Sequence, residues 1–232
     1  MSNSKRPIIG FIHIYTVNNW REIFGNQIYK LKNSGLLSKV EKIYVGIIGS
    51  KVDINLDKVE VLFNIDNPEI GESLTLALMH QKSMTFDGAM FYIHSKGVSR
   101  NSPQQHTDWR NYMEYFIINR HEDCLRELEK ADCVGVNWYP GGGKSKSWMY
   151  GKLVFQPTTS CFEGNFWWTN SEYVRNLPRL FPIKGRFDSE FWIGLNNPRV
   201  AELWHSGVRH HRNQYPQNNY MDKINVRYFK GP

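Results

Sequence analysis

Apolar residues in the first hundred positions form short, near-continuous runs, separated by segments with helical spacing. The runs predict buried strands and the intervening spacing predicts amphipathic helices. The predicted strands cover residues 8–15, 42–48, 59–63 and 89–94, and the predicted helices cover residues 20–31 and 71–84. Because strands and helices alternate and the strands are apolar throughout, we expect a mainly parallel sheet with helices on both faces.

The second half of the chain continues the pattern with a longer helix. An apolar stripe predicts a helix over residues 109–130, followed by a strand over 133–138. Residues 139–152 are rich in Gly, Lys and Ser and predict a mobile loop. The remaining predicted segments are an apolar stretch at 162–169, helices at 171–176 and 186–195, and a polar C-terminal tail at 206–232.

No internal repeat and no shift in composition divides the chain, so we expect a single α/β domain over residues 1–232. Ligands of such sheets bind beyond the carboxyl ends of the strands. The loops after Tyr15, Phe63 and Ile93 should therefore carry binding residues.

The composition is that of a globular protein with a sizeable core. The chain has 232 residues, of which 41% are hydrophobic and 22% charged, so it does not require a disulfide or metal framework to fold. Its 3 cysteines are an odd number without C-x-x-C spacing and are interpreted as reduced thiols. No window predicts a signal peptide or a membrane span, and we expect a cytoplasmic protein.

The formal net charge of +7 favours an anionic partner. Basic residues are spread along the chain, without a zinc-finger, RNP or helix-turn-helix signature. This disfavours nucleic acid as the partner.

A polar sequence, His94-Ser95-Lys96, ends the fourth predicted strand. Lys96 could offer a fixed positive charge, and Ser95 a hydrogen bond, to the oxygens of a phosphate group. The alternative is an ordinary strand edge whose lysine reaches solvent.

Two carboxylates, Asp188 and Glu190, stand at the start of an apolar segment near the C-terminus. They could stabilise a helix N-terminus, or one of them could act as a base on a hydroxyl group. In the segment GNFWW at 164–168, Asn165, Trp167 and Trp168 could bind a sugar through hydrogen bonds and ring stacking. The alternative is that the rings belong to the core.

Five segments in one order resemble a family of small GT-A glycosyltransferases. The segments are FYIHSKGV at 91–98, WRNYMEYF at 109–116, DCVGV at 132–136, GNFWW at 164–168 and RFDSEFWIG at 186–194. The family includes a chlorella-virus glycosyltransferase domain, and the His-x-Lys strand end is similar to that of rhamnan-synthesis glycosyltransferases. The resemblance extends over about residues 8–205.

The resemblance implies a GT-A (Rossmann-like) domain that takes a nucleoside-diphosphate sugar, with UDP as the expected nucleotide, and a glycan or glycoconjugate acceptor. Residues 8–100 would form the donor-binding half and residues 101–205 the acceptor half. The residues implied in donor binding are His13, Tyr15, Thr16, Asn64, Asp66, His94, Ser95, Lys96 and Arg110. Asp188 or Glu190 would be the base, and Asn165, Trp167 and Trp168 would bind the acceptor or the sugar.

The sequence departs from the GT-A pattern where an Asp-x-Asp motif usually holds a divalent metal. Here the strand ends in His94-Ser95-Lys96. Two interpretations stay open: Asp66 or His205 recruits Mn2+ or Mg2+, or the reaction is metal-independent and Lys96 or Arg110 stabilises the leaving diphosphate. A degenerate, inactive copy would also lack the motif.

Two other function classes compete with a transferase of sugars. A nucleotidyltransferase should show a Gly-rich loop with Arg after the first strand, whereas Tyr15 is followed here by TVNN. A non-catalytic sugar- or nucleic-acid-binding module would explain the aromatic residues and the charge, but not the paired carboxylates.

Overall fold

A mixed sheet of eight strands forms the centre of the computed structural model, which describes residues 6–100, 103–142, 144–149, 152–157, 159–180 and 187–230. The strands are β1 Ile8–Tyr15, β2 Lys42–Ile48, β3 Val59–Ile65, β4 Ala89–His94, β5 Cys133–Gly135, β6 Trp138–Tyr139, β7 Lys144–Met149, β8 Lys152–Pro157, β9 Cys161–Phe162, β10 Trp167–Asn170, β11 Val200–Glu202 and β12 Arg227–Phe229. The helices are α1 Trp20–Asn33, α2 Leu36–Lys39, α3 Ser73–Ser83, α4 Gln104–Glu114, α5 His121–Glu127, α6 Ser171–Arg175 and α7 Asp188–Phe191.

The order of strands in the central sheet is β12-β11-β5-β10-β4-β1-β2-β3. Strands β3, β2, β1 and β4 are mutually parallel, as are β5 and β11. Strand β10 runs antiparallel between β4 and β5, and β12 runs antiparallel at the edge. The predicted fold class, a mixed and mainly parallel α/β sheet of Rossmann-like type flanked by helices, is confirmed.

Both faces of the sheet are covered, which explains the nearly continuous apolar strands in the sequence. In β1, the side chains of Ile12 and Ile14 enter one core with residues of α1, α4 and α5. The alternate residues Ile9 and Phe11 enter a second core with residues of α3 and α6. Because successive side chains of a strand point to opposite faces, a strand covered on both sides must be apolar throughout.

The long predicted helix begins five residues earlier than expected and contains an irregular turn. Helix α4 starts at Gln104 after Pro103, and a π-helical turn at Tyr115–Asn119 joins it to α5. Trp109 therefore lies inside α4 rather than at its start.

Two segments predicted as irregular form regular structure. Residues 144–149 and 152–157, placed in or beside a mobile loop by the sequence, pair as the antiparallel strands β7 and β8. The C-terminal tail packs against α4, where His210, Tyr215 and Tyr220 are buried, and its end forms β12. The predicted start of the late helix, Arg186, lies outside the described residues.

None of the described helices combines the length and apolar character that crossing a bilayer requires.

Candidate functional site

A cleft of about 740 Å³ opens at the carboxyl ends of the parallel strands. His13 and Tyr15 of β1, Ile48 of β2 and His94 of β4 contribute to its lining, together with residues 68–72 after β3 and 95–99 after β4. Side chains from α4, α7 and the C-terminal tail complete the wall. The position is the one that the sequence analysis predicts from the parallel sheet.

Six of the predicted site residues share this cleft. They are His13, Tyr15, His94, Ser95, Lys96 and Glu190. Two histidines that were not predicted, His106 and His211, line the cleft as well.

Lys96 is held over an aromatic ring at the cleft wall. Its Nζ lies 4.2 Å from the centroid of the Trp109 ring, a cation–π contact. Its backbone carbonyl accepts a hydrogen bond of 2.8 Å from Nη1 of Arg110. Arg110 is buried, and we correct its predicted role: its described hydrogen bond supports the loop that carries Lys96, rather than a diphosphate in the cleft.

A buried polar network lies beneath the same loop. Glu114, 1% exposed, accepts hydrogen bonds from Nε2 of Gln27 (2.9 Å) and Nζ of Lys30 (2.6 Å). Gln27 also donates to the backbone carbonyl of His94 at 3.0 Å. The sequence indicates this network in one respect: a polar residue interrupts the apolar stripe of each helix, Gln27 in α1 and Glu114 in α4.

Ser95 links the ends of β1 and β4 through two hydrogen bonds. Its Oγ accepts a hydrogen bond of 2.9 Å from the backbone N–H of Tyr15, and its own N–H donates to the carbonyl of His13. Within the described part of the chain Oγ only accepts, so its hydroxyl hydrogen can be donated at the cleft.

His13 lies on the cleft floor in a neutral state. Its Nδ1 is 2.9 Å from Oγ1 of Thr75 in α3. Burial lowers the pKa of His13 to about 4, although the nearby Glu72 opposes this shift. At neutral pH His13 therefore offers a hydrogen bond to a ligand and no charge.

The main residue that sequence analysis missed is Glu72, which immediately precedes α3. Its Oε2 accepts hydrogen bonds of 2.8 Å from the Tyr92 hydroxyl and from Nδ2 of Asn165. Burial raises the pKa of Glu72, but His94 and His13 outweigh that effect and hold it below its usual range. Glu72 thus keeps a negative charge on the cleft floor, and nothing in its local sequence marks it as special.

His94 adjoins Glu72 and is anchored from behind. Its Nε2 lies 3.0 Å from the backbone carbonyl of Gly164, and its Nδ1 lies 3.7 Å from Oε1 of Glu72. The carbonyl can approach because residue 164 is glycine: its φ is +93°, and a Cβ there would lie 2.4 Å from Sδ of Met113.

The predicted sugar-binding residues in GNFWW are part of the protein interior, which corrects that prediction. Trp167 and Trp168 are fully buried; their indole N–H groups donate to Oδ1 of Asn165 and to the carbonyl of Ile117. Asn165 is 1% exposed and also donates to Glu72 and the carbonyl of Ser189. It positions cleft residues instead of facing a sugar.

Besides Arg110, three predicted donor-binding residues lie outside the lining of the cleft. Thr16 donates from Oγ1 and from its backbone N–H to the carbonyl of Ile48, which joins β1 to β2. Asn64 donates to the carbonyl of Ser50, and Asp66 is exposed. The polarity of these positions reflects strand ends and turns.

Of the two predicted catalytic carboxylates, Glu190 lines the cleft and Asp188 does not. Both belong to the short helix α7. Partial desolvation raises the pKa of the neighbouring Glu163, and Glu190 adds to that rise while His205 opposes it. A second carboxylate therefore lies near Glu190.

His205, the predicted metal ligand, pairs with another residue. Its Nδ1 is 2.8 Å from Oε1 of the fully buried Glu202, which also binds Arg227. Among the residues that the structure describes, no three His, Cys, Asp or Glu side chains are grouped so that they could hold a metal ion.

Comparison with known proteins gives likenesses to solved structures alone. No protein-family model and no curated protein matches the chain. The fold is similar to that in a structure described as "Crystal structure of 4-diphosphocytidyl-2C-methyl-D-erythritol synthase", with a TM-score of 0.41 and 9% sequence identity over 80% of this chain and 84% of that chain. At this level the likeness says nothing about activity.

Proposed function

We propose that the chain is a glycosyltransferase that moves a sugar from a nucleoside-diphosphate sugar, such as a UDP-sugar, to a hydroxyl of a glycan or glycoconjugate. The observation that carries the proposal is the cleft itself. A fixed cation, Lys96, and a carboxylate, Glu190, line one cavity at the carboxyl ends of parallel strands. The ordered resemblance to GT-A enzymes supplies the reaction class.

In this proposal Lys96 binds the diphosphate. Its ammonium group is held in place by Trp109, so little side-chain freedom is lost when a ligand binds. A cation fixed before the reaction stabilises the negative charge that develops on the leaving diphosphate. Ser95 adds a hydroxyl hydrogen beside it.

Glu190 is the proposed base, because of the two predicted carboxylates it is the one that lines the cleft. A base must lie within hydrogen-bond reach of the hydroxyl that it deprotonates. An acceptor that enters between α7 and the loop after β4 would bring its hydroxyl between Glu190 and the sugar bound near Lys96.

The role of a divalent metal is part of the proposal's test. We propose that Lys96 stabilises the diphosphate, and that any Mn2+ or Mg2+ would bind mainly through the phosphate oxygens of the nucleotide. The activity of the purified protein with and without EDTA decides whether a metal shares this role.

The first experiment is a thermal-shift screen with UDP-, TDP- and GDP-sugars, each with and without Mn2+. A ligand that binds the folded state raises the melting temperature by mass action, and at 100 times its Kd it contributes about 2.7 kcal/mol. Release of free nucleoside diphosphate in the presence of an acceptor library then measures transfer. Binding without turnover would favour a non-catalytic module, and release of pyrophosphate from a nucleoside triphosphate would favour a nucleotidyltransferase.

A further inference from the structure

Two hydrogen-bond acceptors face each other on the cleft floor. Oε1 of Glu72 and Nδ1 of His94 lie 3.7 Å apart. Both residues line the cleft. Among the residues that the structure describes, no group donates a hydrogen bond to either atom, although their other polar atoms are all engaged.

The backbone fixes which nitrogen of His94 carries hydrogen. Nε2 lies 3.0 Å from the carbonyl oxygen of Gly164, and a carbonyl oxygen can only accept. Nε2 must therefore be the protonated nitrogen, which leaves a lone pair on Nδ1 in the neutral ring. Burial lowers the pKa of His94, while Glu72 opposes this and Lys96 reinforces it.

The two oxygens of Glu72 differ for a similar reason. Oε2 receives the Tyr92 hydroxyl and the Asn165 amide, both at 2.8 Å. Two donors engage both lone pairs of that oxygen. Oε1 can still accept a hydrogen bond. The Glu72 side chain is 22% exposed, and it lines the cleft.

We infer that Glu72 Oε1 and Nδ1 of His94 form a subsite for ligand hydroxyl groups, in which both atoms accept hydrogen bonds from the sugar that the cleft binds. The sugar as occupant rests on the proposed function. Two neighbouring acceptors in a partly desolvated site lose hydration unless a donor lies between them. Vicinal hydroxyls of a sugar supply two donors at a spacing that suits such a pair.

The charged and titratable groups around the pair are consistent with an ionised Glu72 and a neutral His94. His13 from β1, Tyr92 from β4 and Lys96 from the following loop face Glu72. Lys96 and Arg110 face His94 and disfavour a positive charge on its ring.

The test uses Glu72→Gln in the full-length protein. The glutamine amide can keep its oxygen toward Tyr92 and Asn165 and turn its NH2 toward Nδ1 of His94, which fills the subsite with an internal donor. We therefore expect the variant to melt at the wild-type temperature or up to about 4 °C above it. Glu41→Gln is the control, since Glu41 is exposed and its carboxylate has no partner among the described residues.

Nitrogen-15 NMR of histidine-labelled protein at pH 7 measures the state of His94 directly. A non-protonated Nδ1 in the wild type, shifted by hydrogen bonding in Glu72→Gln, supports the acceptor pair. A ring protonated on both nitrogens, or a drop of more than about 4 °C in melting temperature, would show an imidazolium–carboxylate ion pair and overturn the inference.

Ligand titrations separate the subsite from the proposed function. D-glucose alone should move the His94 Nδ1 resonance, whereas 1,4-dioxane, which has ether oxygens but no hydroxyls, should not. The absence of a glucose effect overturns the subsite. UDP-glucose should bind Glu72→Gln about 10-fold or more weakly than wild type, with UDP affinity unchanged. If glucose perturbs His94 but no nucleotide or nucleotide sugar binds, the proposed function fails and the subsite stands.

Discussion

Lys96 and Trp109 form a contact that makes the cation of the cleft depend on the C-terminal tail. The ammonium of Lys96 lies 4.2 Å from the centre of the Trp109 ring. The other contacts of that ring include His210, stacked at 5.5 Å with an interplanar angle of 10°. A segment that the sequence presents as a polar tail thus supports the residue proposed to bind the diphosphate.

Removal of the Lys96 charge should impair turnover. We expect Lys96→Gln to lower kcat/KM for the nucleotide sugar about 100-fold or more, since one preorganised group that stabilises developing negative charge has an effect of this size. Steady-state kinetics measures the change.

The matched control is Lys82→Gln. Lys82 lies 4.5 Å from the centre of the Tyr44 ring, so this variant loses the same type of contact outside the cleft lining. Equal losses of activity in the two variants would contradict a role for Lys96 in catalysis.

The two carboxylates of α7 should differ in their effect on the reaction. Glu190→Gln should lower kcat about 100-fold or more with little change in nucleotide-sugar affinity, because a general base acts mainly on the chemical step. Asp188→Asn should stay within about 10-fold of the wild type. If Asp188→Asn proves the more damaging substitution, the assignment of the base to Glu190 is wrong.

The fold was largely predictable because its signal is local. A strand buried on both faces must be apolar at nearly every position, and β1, β2 and β4 show this in the sequence, with polar residues only at Lys42, His13 and His94. The C-terminal tail was not predictable in the same way. His210, Tyr215 and Tyr220 follow neither the helical nor the strand period, and they meet around the ring of Tyr112 in α4 and against one another.

Site residues could be predicted only where polar side chains come at the end of an apolar strand. Lys96 and His94 were found because polar residues end an apolar strand. Glu72 was missed because its importance depends on Asn165, which is 93 positions away. Trp167 and Trp168 were misassigned because an aromatic pair looks the same in sequence whether it packs in a core or against a sugar.

The buried histidines should make stability depend on pH. Burial lowers the pKa of His13 and His210 to about 4, and Asp108 only partly opposes this for His210. The unfolded chain binds protons near pH 6.5 whereas the folded chain does not, so the free energy of unfolding falls as the pH drops from about 6.5 to 4. Each histidine should contribute a loss of about 2 kcal/mol between pH 7 and 5.

Urea denaturation of His210→Phe at both pH values checks this dependence. The phenyl ring can still stack between Trp109 and Tyr112 but does not titrate, so the loss of stability on acidification should be smaller by about 2 kcal/mol. Ser206→Ala removes the hydroxyl that contacts Nε2 of His210 and should keep the wild-type pH dependence. An unchanged dependence in His210→Phe would show that folding does not lower the pKa of His210.

Trp168 should matter for stability and not for ligand binding. Trp168→Phe removes a fully buried indole N–H that donates to the carbonyl of Ile117 at 2.8 Å and leaves that carbonyl without this donor. We expect a loss of about 1–3 kcal/mol in the free energy of unfolding. The Kd for a nucleotide sugar, measured well below the melting temperature, should change less than 2-fold. A larger change would show that Trp168 contributes to ligand binding.

The antiparallel course of β10 has a consequence for the order of folding. Strand β10 begins at the cleft end of the sheet, so a later part of the chain also contributes to the site. There the carbonyl of Gly164 contacts His94, which is 70 positions away in the sequence. Contacts of such long range form late, since loop closure opposes them. Strands β1, β2 and β3 can pair with one another through nearer neighbours. We expect a nascent chain that ends before β10 to lack the anchor of His94 and, with it, a formed cleft.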